Sequence, residues 1–267
     1  TEELRYFYPT STLVTGYDII TFWVSRMITF GLAVMKQKPF DTVYVHGLVR
    51  DSLGRKMSKS LGNGIDPLEV IAKYGADSLR FSLLTGNSAG NDMRFYWEKV
   101  EAARNFCNKI YNAARFVLMS IDGVETVNPS QCELDDADKW ILHRLNEVTG
   151  QVSANLDGFE LGLAAQKIYD FIWLEFCDWY IEMAKPRLYG DSNEAKRAAA
   201  SVLTFVLMRA MQLLHPFMPF ITEELYQKLP GHEETIMLSN WPQQDPVFQF
   251  PEECERMESL MEIVRSI

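Results

Sequence analysis

The sequence predicts a mainly helical chain led by a short α/β segment, and two observations predict it. Short β-branched runs bounded by turn residues lie only near the start, at residues 11–15 and 42–45, the pattern of buried strands. From Trp97 onward apolar residues recur at spacings of three and four through several long segments, with no strand-like run before the tail, the pattern of helices with one buried face.

Taken in order, the first strand ends at Gly16, and a helix over about residues 18–35 follows. Ile19, Ile20, Phe22, Trp23, Val24, Met27, Ile28 and Phe30 make that helix apolar on most sides, which predicts that it is buried. The turn from Thr15 to Asp18 would sit at the carboxyl end of a strand, where α/β sheets hold nucleotides. Asp18 suits either a ribose hydroxyl or a plain helix cap. The second strand, Thr42-Val43-Tyr44-Val45, leads through His46-Gly47-Leu48-Val49 to a turn at Asp51–Gly54 and then to Lys56-Met57-Ser58-Lys59-Ser60. Asp66, Pro67 and Glu69 then form a helix start, as cap, first-turn proline and capping-box acid.

A loop between a strand and a helix N-terminus, with two ammonium groups and two hydroxyls, suits polyphosphate. A bare pair of lysines three apart would be an ordinary solvated turn; the whole string with its flanks is more specific. Two helices hinged at Gly75 and a Gly/Asn/Ser-rich loop over 85–92 come next, and the sequence places a domain boundary near residue 95. A helix to about Ser120 carries Arg94, Lys99, Arg104, Lys109 and Arg115, with Asn105, Asn108, Asn112, Tyr111 and Phe116 between them. Basic, amide and aromatic groups together suit unstacked RNA bases, or simply a solvated face. Three long helices are expected at about 137–156, 160–185 and 192–214, the middle one aromatic-rich, then shorter ones near 222–229 and 252–267. Glu175, Asp178 and Glu182 share a helix without a histidine, which favours a structural role over metal binding.

The 267 residues carry 26 Lys+Arg against 36 Asp+Glu, net −10. The charge is uneven: residues 1–120 hold 15 basic and 11 acidic groups, the remainder 11 and 25. A polyanion is therefore expected on the first half, and a general nucleic-acid binder is disfavoured. Cys107, Cys132, Cys177 and Cys254 have no C-x-x-C spacing, which argues against a zinc knuckle and for a reducing, cytoplasmic setting. No charge-free apolar run reaches about 18 residues, so no membrane partner is expected, and neither is a signal peptide.

Lys56-Met57-Ser58-Lys59-Ser60 resembles the KMSKS signature of class I aminoacyl-tRNA synthetases. The run Thr15-Gly16-Tyr17-Asp18-Ile19-Ile20, with Phe22-Trp23-Val24 and Arg26-Met27, is similar to valyl-tRNA synthetases. So are residues 175–182, Glu-Phe-Cys-Asp-Trp-Tyr-Ile-Glu, and 215–220, His-Pro-Phe-Met-Pro-Phe. The resemblance covers about residues 8–241 and favours valyl over isoleucyl and leucyl relatives. It implies the C-terminal part of a Rossmann-like catalytic domain over 1–95 and a helical-bundle anticodon-binding domain over 96–267. It implies that Lys56, Met57, Ser58, Lys59 and Ser60 hold ATP phosphates, with Lys56 and Lys59 catalytic. Gly16 and Asp18 would touch the ribose, His46, Gly47, Leu48 and Val49 the adenine, and Ile19 and Trp23 the valine side chain unless they are plain core. The resemblance also implies that Arg115 and Phe116 lie near the anticodon; Arg94, Arg104, Asn108 and Lys109 are tRNA-facing candidates from the basic and amide series itself.

The implied reactants are valine, ATP with Mg2+ and the valine-accepting tRNA, with no protein-bound metal and a monomeric state. The HIGH signature, the rest of the sheet, the editing domain and the coiled-coil arm of the family have no counterpart here, so the chain is expected to be a piece of the enzyme, inactive alone. A stand-alone RNA-binding module and a helical interaction scaffold stay open as other readings.

Overall fold

The computed structural model describes residues 1–58, 60–86 and 88–266. By packing, the chain divides into two units, one made of residues 1–66 and 86–97, the other of 67–85 and 98–267.

In the first unit, helix α1 (Glu2–Phe7) starts on Thr1, whose Oγ1 accepts from the Leu4 amide at 3.2 Å. Strand β1 (Thr10–Gly16) pairs in parallel with β2 (Phe40–His46), in register from Thr10 opposite Phe40 to Gly16 opposite His46. Parallel neighbours need a crossover, here a helical run over Tyr17–Met35. It opens with a tight turn, widens to π-helical geometry over Ile20–Val24, and continues as α2 (Ser25–Phe30). After a second wide turn it stops at Lys36, in the left-handed region at φ 58°. The expectation that this apolar helix is buried is not met: only Val24 and Gly31 are buried along it. The β1–β2 pair is only two strands wide, and Phe22, Trp23 and Phe30 stay exposed. Strands β3 (Val49–Arg50) and β4 (Met93–Arg94) form a second parallel pair. Arg94 therefore belongs to a strand and not to the basic helix expected from sequence, because its backbone pairs with Arg50 before the helix begins at Trp97.

In the second unit, α3 (Pro67–Tyr74) and α4 (Ala76–Leu84) meet at Gly75, whose φ of 86° is strained for any residue with a Cβ. Although they precede residue 95, both helices pack here. Asp77 is buried and accepts from the Phe220 and Ile221 amides at 3.2 and 2.7 Å, at the start of α10 (Pro219–Tyr226), where a carboxylate complements unpaired N–H groups. Phe81 meets Phe106 of α5 (Trp97–Ser120) at a centroid distance of 5.2 Å. Helix α6 (Asp136–Asp157) starts in a capping box made by Asp135 and Asp138. A continuous aromatic-rich helix follows as α7 (Leu161–Asp170), a π-helical run over Phe171–Tyr180, and α8 (Ile181–Leu188). Helix α9 (Asn193–Leu214), capped by Ser192, has the length and apolarity of a membrane span, but 78 % of that window is buried among the other helices. The crossover Tyr17–Met35 meets the same length and composition criterion with 11 % buried. Helix α11 (Pro251–Ser266) closes the bundle through Cys254, Met257 and Met261.

Candidate functional site

In the first unit, β1 and β2 end side by side at Gly16 and His46. A Cβ on Gly16 would come within 2.9 Å of Asp18 Oδ1 and 3.5 Å of the His46 ring. Gly47 is more constrained: a Cβ there would lie 1.9 Å from the Asn91 carbonyl oxygen, so only glycine lets the 88–95 segment approach. That segment is laced on by Gly90 N–H to Val45 O (2.9 Å), Met93 N–H to Leu48 O (3.0 Å) and Phe95 N–H to Arg50 O (2.8 Å). Asp92 sits at its centre. It accepts from the Leu48 amide at 2.7 Å, from Arg50 Nε and from the Tyr17 hydroxyl at 3.1 Å. The Leu48 amide, then Arg50, hold its carboxyl below the usual range.

The loop that follows is tied by Asp51 and Asn63. Asp51 accepts from the Leu53 and Arg55 amides, Arg55 Nε and Asn63 Nδ2, at 3.1, 2.8, 2.7 and 2.9 Å. The Asn63 bond first, with the Arg55 bonds, lowers its pKa to about 2 against the opposing effect of burial. Asn63 Oδ1 accepts from the Ser58 amide at 3.0 Å. The Ser58 and Ser60 hydroxyls lie 3.1 Å apart. Lys56 Nζ stands 3.3 Å from Asp18 Oδ2, both groups open to solvent. Met57 is half-buried and Lys59 lies outside the described residues. Thus Gly16, Asp18, His46, Gly47, Lys56, Ser58 and Ser60 fall in one unit. Ile19 and Trp23, 38 % and 58 % exposed, are not core. Leu48 and Val49 supply backbone to the 88–95 segment. Sequence reasoning missed Arg50, Asn63 and Asp92, and saw Asp51 only as a turn. Asn63 closes the glycine-flanked end of the loop string and was readable; nothing local points to Asp92.

In the second unit, α5 carries the other candidates. Lys99 Nζ donates to the Thr85 carbonyl, and burial lowers its pKa. Arg104 pairs with Glu101 at 3.0 Å and lies 5.7 Å from the Tyr74 ring centre. Lys109 pairs with Asp178 at 2.6 Å. Phe116 is half-buried with Lys185 Nζ 5.6 Å from its ring centre. Asn108 is exposed. Arg115 lines a cavity of about 320 Å³ with Tyr111, Leu118, Met119, Asp122, Leu225 and Lys228. The acidic series on the aromatic helix is fully engaged in ion pairs: Glu175 grips Arg144 at 2.9 and 3.0 Å, Asp178 holds Lys109 and Glu182 meets Lys185 at 2.6 Å.

Comparison with known proteins bears on both units. A family described as tRNA synthetases class I (I, L, M and V) matches residues 1–96, and one described as the anticodon-binding domain of tRNA ligase matches 138–267. The chain is 58 % identical over 267 residues to a valine–tRNA ligase of Carboxydothermus hydrogenoformans, 56 % over 268 residues to one of Clostridium tetani and 53 % over 268 residues to one of Bacillus subtilis. Each match covers 100 % of this chain and 30 % of the relative, so the chain spans under a third of the length of these relatives. Among solved structures, the LeuRS–tRNA–LeuAMS ternary complex of Agrobacterium radiobacter aligns with a TM-score of 0.75 at 24 % identity, over 91 % of this chain and 29 % of that one. Mycobacterium tuberculosis methionyl-tRNA synthetase with methionyl-adenylate aligns with a TM-score of 0.72 at 24 % identity, over 84 % and 45 %; both show the fold. With a class I segment leading into an anticodon-binding segment, and valine–tRNA ligases matching from end to end, the chain belongs to the class I tRNA synthetases and corresponds to a stretch of a valine–tRNA ligase.

Proposed function

We propose that this chain is the part of a cytoplasmic, monomeric valine–tRNA ligase that grips the ATP phosphates and receives the tRNA. The observation that carries this is the loop of Lys56 to Ser60, tied by Asp51 and Asn63 beside the ends of β1 and β2, in a chain 58 % identical to a valine–tRNA ligase. In the first step the valine carboxylate attacks the α-phosphorus of ATP, the bond to the bridging oxygen breaks, and pyrophosphate leaves. Negative charge grows on that leaving group, and ammonium groups aimed at it stabilise the transition state more than the ground state. Lys56 and Lys59 fill that role, and Mg2+ entering with the substrate ATP would neutralise part of the phosphate charge.

Asp18 would accept from the ribose hydroxyls, its Oδ1 being available while Lys56 Nζ lies on Oδ2. Residues His46, Gly47, Leu48 and Val49 flank the adenine, and the exposed Ile19 and Trp23 border the valine side chain. In the second step the valyl group passes to the tRNA, whose anticodon end meets the α5 face around Asn108, Arg115 and Phe116. Because Phe22, Trp23 and Phe30 are uncovered within this unit, the remaining sheet of the whole ligase has an apolar surface to pack on.

The test is ATP–pyrophosphate exchange with valine, isoleucine and leucine. The full-length protein is expected to exchange only with valine at low amino-acid concentration, and this chain alone to give background. Exchange by the isolated chain, or none with valine by the full protein, would overturn the reading.

A further inference from the structure

The chemistry proposed above uses neither Asp51 nor Asn63, yet the loop is built around them. Asp51 is 7 % exposed although it sits in a polar turn. Its Oδ1 takes the Leu53 and Arg55 amides, and its Oδ2 takes Arg55 Nε and Asn63 Nδ2. Asn63 turns its other atom, Oδ1, to the Ser58 amide at 3.0 Å, and its Nδ2 also lies 3.4 Å from the Lys56 carbonyl. One bond, 2.9 Å long, therefore joins residues twelve apart and closes the loop into a ring. Four donors converge on one carboxylate, and only an ionised acid offers that many acceptor sites with no donor. An amide at position 51 that keeps its oxygen on the backbone would set its NH2 against the NH2 of Asn63 and against Arg55 Nε, donor facing donor, so both bonds to Oδ2 would be lost.

We propose that Asp51 and Asn63 are positioning residues of this loop: they close it before substrate arrives, so that the Lys56 backbone is already in place when charge develops on the leaving pyrophosphate. This rests on the reading of the loop as a phosphate clamp. A clamp ordered in advance loses less freedom at the moment of reaction than one that must fold around its ligand. The pair touches no substrate; it acts through the backbone at Lys56 and Ser58.

The experiment uses the full-length ligase with Asp51→Asn, Asn63→Asp, the double swap and Lys56→Ala. Single-turnover valyl-adenylate formation is measured across valine and ATP concentrations. Trypsin cleavage after Arg55 and Lys56 is followed on the same proteins. Each single change at 51 or 63 is expected to lower kcat by about 10- to 100-fold, to leave the KM for valine unchanged and to speed cleavage in the loop but not elsewhere. The swap restores a donor opposite an acceptor and keeps an acceptor for Ser58, so it is expected to recover part of both. Single variants with the wild-type rate and loop protection, or a swap no better than either single, would overturn the proposal. If Lys56→Ala keeps the wild-type rate, the phosphate-clamp reading itself falls. If Lys56→Ala slows adenylation while the variants at 51 and 63 do not, the clamp stands and only the positioning role falls.

Discussion

Lys109 Nζ lies 2.6 Å from Asp178 Oδ1 and 5.2 Å from the centre of the Trp173 ring, so a lysine whose spacing suits an RNA face also ties α5 to the aromatic helix by a partly exposed ion pair. Arg104 is likewise paired, with Glu101. Arg115, by contrast, is exposed and borders a cavity beside Tyr111 and Lys228.

The salt dependence of tRNA binding should reflect this difference. Each phosphate neutralised adds about 0.7–0.9 to the slope of log K against log salt. Arg115→Ala is expected to reduce the slope by about that amount, and Lys109→Ala by less, because Asp178 already balances its charge. Filter binding with the valine-accepting tRNA over a range of salt measures both. Equal reductions would mean that Lys109 leaves Asp178 on binding.

Lys56→Ala in the full-length ligase should slow adenylate formation much more than it raises the KM for valine, since the ammonium acts on charge that exists only near the transition state. By comparison with other charge-stabilising donors the loss is about 2.7–4 kcal/mol, two to three decades in rate. Single-turnover kinetics measure it, and tRNA affinity should be unchanged. A rate within a factor of about two of wild type would remove Lys56 from the chemistry.

Acid should loosen the phosphate loop at a defined point. The Asp51 carboxyl titrates at about 2 in the folded loop against an ordinary 3.8. Its folded pKa is depressed, so its contribution is fully present above about pH 4 and is lost as pH falls through about 2. Hydrogen-exchange protection of the Leu53 and Arg55 amides, both donated to Asp51, should hold from pH 7 to about pH 4 and then decline toward pH 2. Protection that stays constant to pH 2 would contradict the assignment.

In the bundle the fully buried Asp138 pairs with the partly buried Arg187 at Nη2–Oδ1 2.7 Å, and the Tyr180 hydroxyl donates to Oδ1 at 2.6 Å. Burial alone would lower the Arg187 pKa, but the bonds to Asp138 outweigh it and raise it. Asp138→Ala takes the acceptor from the buried Tyr180 hydroxyl and leaves the Arg187 guanidinium only Asp135, 3.1 Å from Nη1, and should destabilise the second unit by about 3 kcal/mol. Urea unfolding followed by tryptophan fluorescence measures this. A change below about 1 kcal/mol would mean that water replaces the carboxylate.

Much of this was legible because it is local. The helices α6 and α9 begin where Asp135 and Ser192 offer cap oxygens to amides three residues on, and the phosphate loop was visible as a string. What could not be read was long-range. Asp92 reaches Leu48, Arg50 and Tyr17 across 42 to 75 residues, and no pattern near Asp92 marks it. Lys109 and Asp178 pair across 69 residues, and neither neighbourhood in the sequence names the other as its partner. Hydrophobicity marked the crossover, expected over about 18–35 and found over Tyr17–Met35, correctly as a helix but not as an exposed one, because burial depends on what the rest of the fold lays against it.

The route of the chain has a practical consequence for dissection. The backbone passes from the first unit to the second after residue 66, returns after 85 and crosses again after 97. No single scissile bond therefore separates the two. A gene cut at codon 95 would send α3 and α4 away with the wrong partner, taking Phe81 from Phe106 and Tyr169 and the Asp77 carboxylate from the start of α10. A self-sufficient bundle has to keep residues 67–85, joined to residue 98 by a short artificial linker in place of the excursion between them.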